Sequence, residues 1–251
     1  MLIKPTLERL RAMGLASMAD AFLRQMEDPQ MHSLSFDERL SMIVDHQWMA
    51  RQKRALDRRL KNAKLKMRAC LEDIDYNKTR ALDRPLIRSL STSEWVSAHR
   101  NMIIEGATGV GKTYLACAFA DKAARDGHGV LYCGARPLFR DLGMARADGS
   151  LDKLLSKLAR VDVLVIDDWA VSVLSETERR DFLEICDERY QMHSTILTSQ
   201  VPVAHWHERI GEPTVADSIL DRLVHNAYRI ELKGPSMRKS QPGPTGNEGT
   251  Q

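Results

Sequence analysis

The sequence predicts an α/β protein in which a parallel sheet flanked by helices follows a small, all-helical N-terminal domain. In the first hundred residues, apolar side chains recur at steps of three and four, which is the period of a helix. The remainder alternates short apolar runs with helical segments, a pattern typical of parallel strands joined by crossover helices. We place the boundary between Tyr76 and Ser91, which gives a helical domain at 1–80, an α/β domain at 81–235 and a tail at 236–251.

The helical domain contains a long helix that we expect to begin at Ser35. The residues Ser35-Phe36-Asp37-Glu38 have the S-x-x-E form of a capping box, in which the serine and glutamate side chains each bind a backbone N–H of the first turn. After this start, apolar residues form one stripe along the helix. The stripe comprises Leu40, Val44, Trp48, Leu56, Leu60, Ala63, Met67, Cys70 or Leu71, and Ile74.

A second helix start is predicted further along the chain. Pro85 indicates a break, because proline is disfavoured inside a helix. The residues Ser91-Thr92-Ser93-Glu94 repeat the capping-box pattern. They predict a short helix that runs into Arg100.

Positive charge is concentrated between Arg51 and Arg68. This segment has nine Lys/Arg and one acidic residue, a local charge of +8, which leaves −5 for the rest of a chain whose net charge is +3. Such a run is usually a solvated helix face; the alternative is a surface that binds nucleic-acid phosphates without reading bases. The candidate DNA-binding residues are Arg51, Lys53, Arg54, Arg58, Arg59, Lys61, Lys64, Lys66 and Arg68.

The α/β domain is predicted to contain five strands and five main helices. The predicted strands are Met102–Glu105, Gly129–Cys133, Val161–Ile166, Ser194–Thr198 and Ala227–Leu232. The helices between them are predicted to start at Lys112, Pro137, Leu151, Glu176 and Pro213, with Ser175 and Glu178 forming a capping box for the fourth.

The strongest chemical motif is GATGVGKT, which follows the first predicted strand and opens a helix. It matches G-x-x-x-x-G-K-[ST], the phosphate-binding P-loop, in full. Its glycines allow backbone N–H groups to turn toward phosphate oxygens at the helix N-terminus. Lys112 would bridge the β- and γ-phosphates, and the Thr113 hydroxyl would bind Mg²⁺. The predicted ATP-binding residues are Gly106, Ala107, Thr108, Gly109, Val110, Gly111, Lys112 and Thr113.

Two carboxylates, Asp167 and Asp168, end the apolar strand VLVI about fifty residues beyond the P-loop. A P-loop ATPase needs an acid at this place to hold Mg²⁺ and another to polarise water. We therefore assign Asp167 to the metal and Asp168 to the attacking water.

The strand ILTSQ also ends in polar side chains. Such residues can contact the γ-phosphate or the water, and we assign this sensor role to Ser199. The alternative is a plain strand end.

An amphipathic helix near the C-terminus, ADSILDRLV, presents Arg222. An arginine from a neighbouring subunit would neutralise charge on the transferred phosphoryl group. The alternative is a surface salt bridge with Asp217 or Asp221.

Composition excludes several other classes. No apolar run approaches the length of a membrane span, and the N-terminus lacks a signal-peptide pattern, so we expect a cytoplasmic protein. Four scattered cysteines without a CxxC pair argue against a disulfide framework or a zinc site, and two histidines, His205 and His207, are too few for a metal. The tail has few apolar residues and is expected to be disordered.

Together these segments resemble a known family, the AAA+ helper ATPases of insertion sequences called IstB, which are related to the helicase loader DnaC. The resemblance runs from Leu7 to Arg238. Its segments are LERLRAMGLASMADAF, GATGVGKT, VLVIDDW, ILTSQ and ADSILDRLVHNAYRIELKGPSMR.

The resemblance implies an ATPase that binds duplex DNA, assembles with further copies of itself in an ATP-dependent way, and recruits or stimulates a transposase. It also implies that Arg222 is the finger and Arg238 a second sensor. Asp168 stands where many AAA+ ATPases have Glu, which puts the rate of hydrolysis in question. Three alternatives stay open: a helicase loader, a small-molecule kinase, and a nucleotide-gated binding module that hardly hydrolyses ATP.

Overall fold

The computed structural model describes residues 3–76 and 82–237. By its internal contacts the chain divides into two compact units between Arg58 and Arg59. Within the described ranges, no helix is long and apolar enough to cross a membrane.

The first unit is helical. It consists of α1 (Ile3–Ala12), α2 (Ala16–Glu27), a 3₁₀ turn at Pro29–Ser33, and most of α3 (Phe36–Ala63). The predicted capping box at the start of α3 is confirmed: the Ser35 N–H donates to Glu38 Oε2 at 2.8 Å, and the Glu38 N–H donates to Ser35 Oγ at 3.3 Å.

The predicted apolar stripe on α3 is wrong in its first half. Leu40, Val44 and Trp48 are 43%, 46% and 61% exposed, whereas Ile43 and Gln47 are buried. Gln47 accepts a hydrogen bond from the Met18 N–H at 3.0 Å, so α2 packs against the neighbouring face of α3. The period of three and four was correct for a helix, but the choice of buried face depends on the partner helix.

The middle of the stripe, Leu56, Leu60 and Ala63, lies in α3 and is half-buried or buried, as predicted. Its last positions, from Met67 to Ile74, are not helical. Helix α3 ends at Ala63, because Lys64 adopts a left-handed backbone conformation with φ of 52°. Residues 65–76 continue without helix or strand, and Ala69 and Ile74 are buried within the second unit. This packing explains why the units divide at Arg58, whereas the sequence pattern placed the boundary after Tyr76.

The second predicted capping box, Ser91-Thr92-Ser93-Glu94, does not form. Pro85 occupies the first turn of α4 (Arg84–Leu90), where its missing N–H costs nothing, and Asp83 Oδ1 caps the helix by accepting from the Leu86 N–H at 3.2 Å. Ser91 ends this helix. The next helix, α5 (Glu94–Ser97), follows Ser93 without a side-chain cap and stops before Arg100.

Within the described residues, the second unit contains a five-stranded parallel sheet, as predicted. Its strands are β1 (Asn101–Gly106), β2 (Val130–Gly134), β3 (Val163–Trp169), β4 (Ser194–Ser199) and β5 (Ala227–Leu232), in the order β2-β3-β4-β1-β5. The flanking helices are α6 (Lys112–Arg125), α7 (Ala135–Asp148), α8 (Leu151–Arg160), α9 (Glu176–Arg189), α10 (Trp206–Ile210) and α11 (Pro213–Val224). Helix α7 starts two residues before the predicted Pro137, and the short α10 was not predicted.

Each face of the sheet buries its own apolar layer, because successive side chains of a strand point to opposite faces. One layer packs with α6 and includes Met102, Ile104, Val163, Val165 and Ile196. The other includes Ile103, Leu164, Ile166, Leu197, Trp169 and Phe182, with the rings of Trp169 and Phe182 stacked at 4.1 Å. A polar residue that lies two positions after a residue of the first layer, in the same strand, therefore also faces α6.

Candidate nucleotide-binding site

The sheet order brings three polar strand ends to one edge. Strand β4 lies between β1, which leads into the P-loop, and β3, which carries Asp167 near its carboxyl end. In parallel sheets, ligands bind at the carboxyl edge where neighbouring strand ends and helix N-termini meet. The end of β4 therefore lies between the P-loop and the acidic strand end.

The P-loop has the backbone that its glycines predict. Gly106, Gly109 and Gly111 have φ of 149°, 86° and 101°, a region that other residues rarely adopt. A Cβ on Gly106 would lie 2.3 Å from the carbonyl oxygen of Leu232 on β5. Helix α6 starts at Lys112, so the backbone N–H groups of its first turn and the positive end of its dipole face the loop.

Five of the eight predicted ATP-binding residues line a cavity of about 320 Å³. Thr108, Gly109, Gly111, Lys112 and Thr113 line it together with Asp168, Gln200 and Met237. Val110 instead points into the apolar core. The Thr108 hydroxyl donates to Gln200 Oε1 at 2.7 Å, and the Met237 N–H donates to the Gly109 carbonyl at 2.9 Å, which closes the loop on two sides.

Lys112 is buried at the start of α6. Its ammonium group donates to the carbonyl oxygens of Gly106 and Ala107 at 2.8 and 2.9 Å. The cation therefore lies inside the curve of the loop, where a negative phosphate would complete its neutralisation.

Asp167 receives four donors on a side chain that is 1% exposed. The Thr113 hydroxyl lies 2.9 and 3.1 Å from its two oxygens, Thr198 Oγ1 donates at 2.5 Å, and the Tyr132 hydroxyl donates at 2.6 Å. The fourth donor is the Lys66 ammonium at 3.1 Å. The predicted pair of Thr113 and Asp167 is thus brought together, and it offers the hard oxygen ligands that Mg²⁺ prefers.

The hydrogen bonds set the charge of Asp167. Burial alone would raise its pKa, but the hydrogen bonds, led by that of Thr198, outweigh burial and hold the pKa below its usual value. Burial and the bond to this carboxylate raise the pKa of Tyr132, which keeps its hydroxyl protonated as a donor. The site therefore holds an ionised carboxylate at neutral pH.

Asp168 faces outward at an irregularity in β3. It has a left-handed backbone with φ of 59°, and the pairing with β4 shifts between Ile166 and Trp169. This bulge turns the Asp168 side chain away from the core and into the cavity beside the P-loop. Gln200 Nε2 lies 3.5 Å from its carboxylate. The two acids thus differ in burial although they are adjacent in sequence.

Ser199, the predicted sensor, and its neighbour Thr198 point to opposite faces of the sheet. The buried Ser199 hydroxyl donates to the Trp169 carbonyl at 2.9 Å and accepts from the Val201 N–H at 3.0 Å, away from the P-loop. Thr198 lies on the α6 side of the sheet. It donates to Asp167 and accepts from the Asp168 N–H at 3.0 Å.

Arg222 lies far from the P-loop of its own chain. It forms an ion pair with Asp187, not with the predicted Asp217 or Asp221, and donates to the Ser218 carbonyl at 2.8 Å. Its own carbonyl accepts from Asn101 Nδ2 at 3.1 Å, at the amino end of β1. Arg238 lies outside the described residues.

Most of the basic segment is exposed. Two of its members have partners in the second unit: Arg59 donates to the Ala124 carbonyl at 2.8 Å, and Lys66 pairs with Asp167. Arg54 donates to Ser17 Oγ at 2.6 Å within the first unit. The exposed members are Arg51, Lys53, Arg54, Arg58, Lys61, Lys64, Lys66 and Arg68.

Sequence reasoning missed three side chains of the site. Tyr132 and Lys66 carry no motif, and no local signal indicates them. Thr198 could have been found, because two-residue alternation from the apolar Ile196 places it on the same face as Asp167 when β3 and β4 are neighbours.

We expect Thr198→Val to lower the rate of ATP hydrolysis by about tenfold or more, since it removes a hydrogen bond to a buried charged group. Ser199→Ala is the matched control, because its hydroxyl binds backbone groups outside the site; it should lower thermal stability and leave turnover near the original rate. Steady-state hydrolysis and thermal melting of both variants check this. The reverse ranking of the two rates would return the sensor role to Ser199.

A parallel sheet with this strand order, a complete P-loop after β1 and a buried acid on β3, with β4 between these two strands, define a P-loop ATPase of the AAA+ class. Residues 8–243 match the family described as IstB-like ATP binding protein. The chain belongs to this family, which confirms the resemblance seen in the sequence.

Relatives in the same family cover nearly the whole chain. A putative insertion sequence ATP-binding protein, y4pL of Sinorhizobium fredii, is 47% identical over 96% of this chain and 98% of its own. The insertion sequence IS21 putative ATP-binding protein of Pseudomonas aeruginosa is 33% identical over 92% of this chain and 86% of its own.

Solved structures share the fold. The crystal structure of DnaI is 27% identical, covers 66% of this chain and 92% of that one, and has a TM-score of 0.57. The DnaC helicase loader covers 66% of this chain and 97% of that one, with a TM-score of 0.54, but at 22% identity it supports the fold alone.

Proposed function

We propose that this protein is an ATP-dependent, DNA-binding helper of a transposase: with ATP it assembles on target DNA and recruits or stimulates the transposase. The observation that carries the proposal is the match along nearly the whole chain to proteins named as insertion sequence ATP-binding proteins. The geometry of the nucleotide site and the exposed basic segment support it.

The nucleotide site supports a hydrolytic role. Lys112 and the P-loop amides would hold the β- and γ-phosphates, while Thr113 and Asp167 would hold Mg²⁺, which neutralises phosphate charge when bound. Asp168 projects into the same cavity and would orient a water molecule. Thr198 and Tyr132 fix the Asp167 carboxylate, so each group is held before ATP arrives.

The basic segment supports DNA binding. Arg51, Lys53 and Arg58 in the first unit and Lys61, Lys64 and Arg68 in the second present exposed cations on consecutive stretches of chain. Long, flexible Lys and Arg side chains on a segment without aromatic residues suit phosphate contact better than base reading. We therefore propose binding that tolerates any sequence.

We expect the affinity for duplex DNA to fall steeply with salt. If about five side chains contact phosphates, the slope of log affinity against log salt should be about −4 to −5, because each contact releases about 0.9 counterion. Changing Arg51, Arg58 and Lys61 to Glu should weaken binding to all sequences alike and flatten the slope. Fluorescence anisotropy with several duplexes measures both quantities.

Helix α8 provides the matched control. Lys153, Lys157 and Arg160 are exposed on it, so changing them to Glu alters the charge of the protein by the same amount. Equal losses in the two triple variants would show that net charge, and not the basic segment, governs DNA binding.

A helicase loader is the second candidate, because DnaI and the DnaC helicase loader share this ATPase fold. The site chemistry is the same for both functions, so only the partner separates them. Pull-down of the full chain with an insertion-sequence transposase and with the replicative helicase separates the two functions. Retention of the helicase alone would replace the transposase proposal.

A further inference from the structure

The ion pair between Lys66 and Asp167 places a protein cation on the carboxylate assigned to the metal. Lys66 Nζ lies 3.1 Å from Asp167 Oδ2, and the Thr113 hydroxyl lies 3.1 Å from the same oxygen. The Lys66 side chain is 49% exposed, whereas that of Asp167 is 1% exposed. The lysine therefore reaches in from solvent to a buried charge.

The source of this cation is unexpected. Lys112, the lysine of the P-loop, donates to the carbonyls of Gly106 and Ala107, whereas the ammonium group hydrogen-bonded to Asp167 Oδ2 belongs to Lys66. Lys66 comes instead from the irregular segment after α3, which is anchored beside the P-loop: the Tyr114 hydroxyl donates to the Cys70 carbonyl at 3.2 Å. Tyr114 directly follows the assigned metal ligand Thr113.

The Lys66 ammonium group and a divalent ion would compete for the Asp167 carboxylate. A buried carboxylate is costly unless a cation or strong donors compensate it, and Lys66 adds a cation to the three hydroxyl donors of Asp167. A divalent ion held by Thr113 and Asp167 would lie close to Oδ2, which both the Thr113 hydroxyl and the Lys66 ammonium group approach, and would repel that ammonium group. Binding of the ion therefore has to move Lys66 outward, which its half-exposed side chain allows.

We propose that Lys66 is the counter-cation of Asp167, which Mg²⁺ must displace when Mg²⁺ and ATP load the site, so that this lysine sets the magnesium requirement of nucleotide binding. The inference rests on the proposed magnesium site at Thr113 and Asp167. Lys66 acts through Asp167 and is a positioning residue in this mechanism. Its release on loading adds a free positive charge to the basic segment.

The test measures binding of a fluorescent, non-hydrolysable ATP analogue to the full chain without DNA, across a range of Mg²⁺ concentrations. In Lys66→Ala, the Mg²⁺ concentration at half-maximal binding should fall by about fivefold, the scale of a partly screened ion pair. Lys66→Arg keeps the charge and should stay close to the original midpoint.

Arg136 provides the control for a diffuse charge effect, because it lines the same cavity as Lys66 and Asp167. An unchanged midpoint in Lys66→Ala, or an equal shift in Arg136→Ala, would overturn the proposal. Thr113→Ala and Asp167→Asn separate this result from the underlying site. If they too keep the original Mg²⁺ dependence, the proposed magnesium site is wrong; if they lose it while Lys66→Ala does not shift, only the role of Lys66 is wrong.

Discussion

Arg222→Ala is expected to bind ATP nearly as well as the unchanged protein but to hydrolyse it about a thousandfold more slowly, the scale seen when an arginine finger is absent. Arg222 lies at the amino end of β1, whereas the P-loop follows its carboxyl end. A strand of six residues rises about 16 Å, too far for the side chain to reach the phosphates of its own site. A finger role therefore requires a second copy of the chain.

Mixing two inactive variants tests the shared site. Lys112→Ala keeps Arg222 but loses the P-loop lysine, while Arg222→Ala keeps the P-loop. An assembly of the two contains interfaces that pair an intact P-loop with an intact finger, so a measurable part of the ATP hydrolysis should return in the mixture. If co-assembly is observed without recovered hydrolysis, Arg222 is not a finger and only supports the fold of its own chain.

Asp187→Ala is the matched control for Arg222. It breaks the same ion pair but leaves the arginine in place. If Arg222 only supports the fold, the two variants should lose hydrolysis and thermal stability to a similar degree. If Arg222 is a finger, Asp187→Ala should keep most of its hydrolysis.

Lys112→Ala is expected to weaken ATP binding by about a hundredfold and to abolish hydrolysis, since charge-assisted hydrogen bonds to phosphate are among the strongest polar contacts. Lys112 is buried and already lies inside the P-loop, so its loss removes the cation without another lysine of α6 to replace it. Isothermal titration and a phosphate-release assay measure the two effects.

Lys122→Ala is the control on the same helix. Its ammonium group pairs with Asp126 near the end of α6, away from the loop. Both binding and turnover should stay close to the original values in this variant. Unchanged binding in Lys112→Ala would contradict the assignment of the P-loop itself.

Much of the α/β unit could be predicted because its signals are local. The apolar runs of β1 to β5 and the P-loop glycines each depend on short stretches of chain, and the predicted strands differ from the observed ones by three residues or fewer. Asp167 was predicted for the same reason, since it directly follows the apolar run VLVI, about fifty residues beyond the P-loop.

The features that were missed depend on distant parts of the chain. Leu40, Val44 and Trp48 have the correct period, yet α2 packs on the adjacent face of α3. Lys66 looked like one more cation of a surface run, because its partner lies 101 positions further along the chain. Ser199 was chosen over Thr198 because the composition of a strand end does not show which way each side chain points. That direction depends on the sheet.

Gly106 is required in the P-loop for a reason separate from nucleotide binding. Its missing side chain is required by the carbonyl oxygen of Leu232 on the adjacent β5, irrespective of any nucleotide. Folding of the chain therefore requires the first glycine of the motif, whereas phosphate binding requires its lysine. Strict retention of glycine at this position among related sequences would therefore not by itself indicate that a descendant still uses ATP; the state of the lysine carries that information.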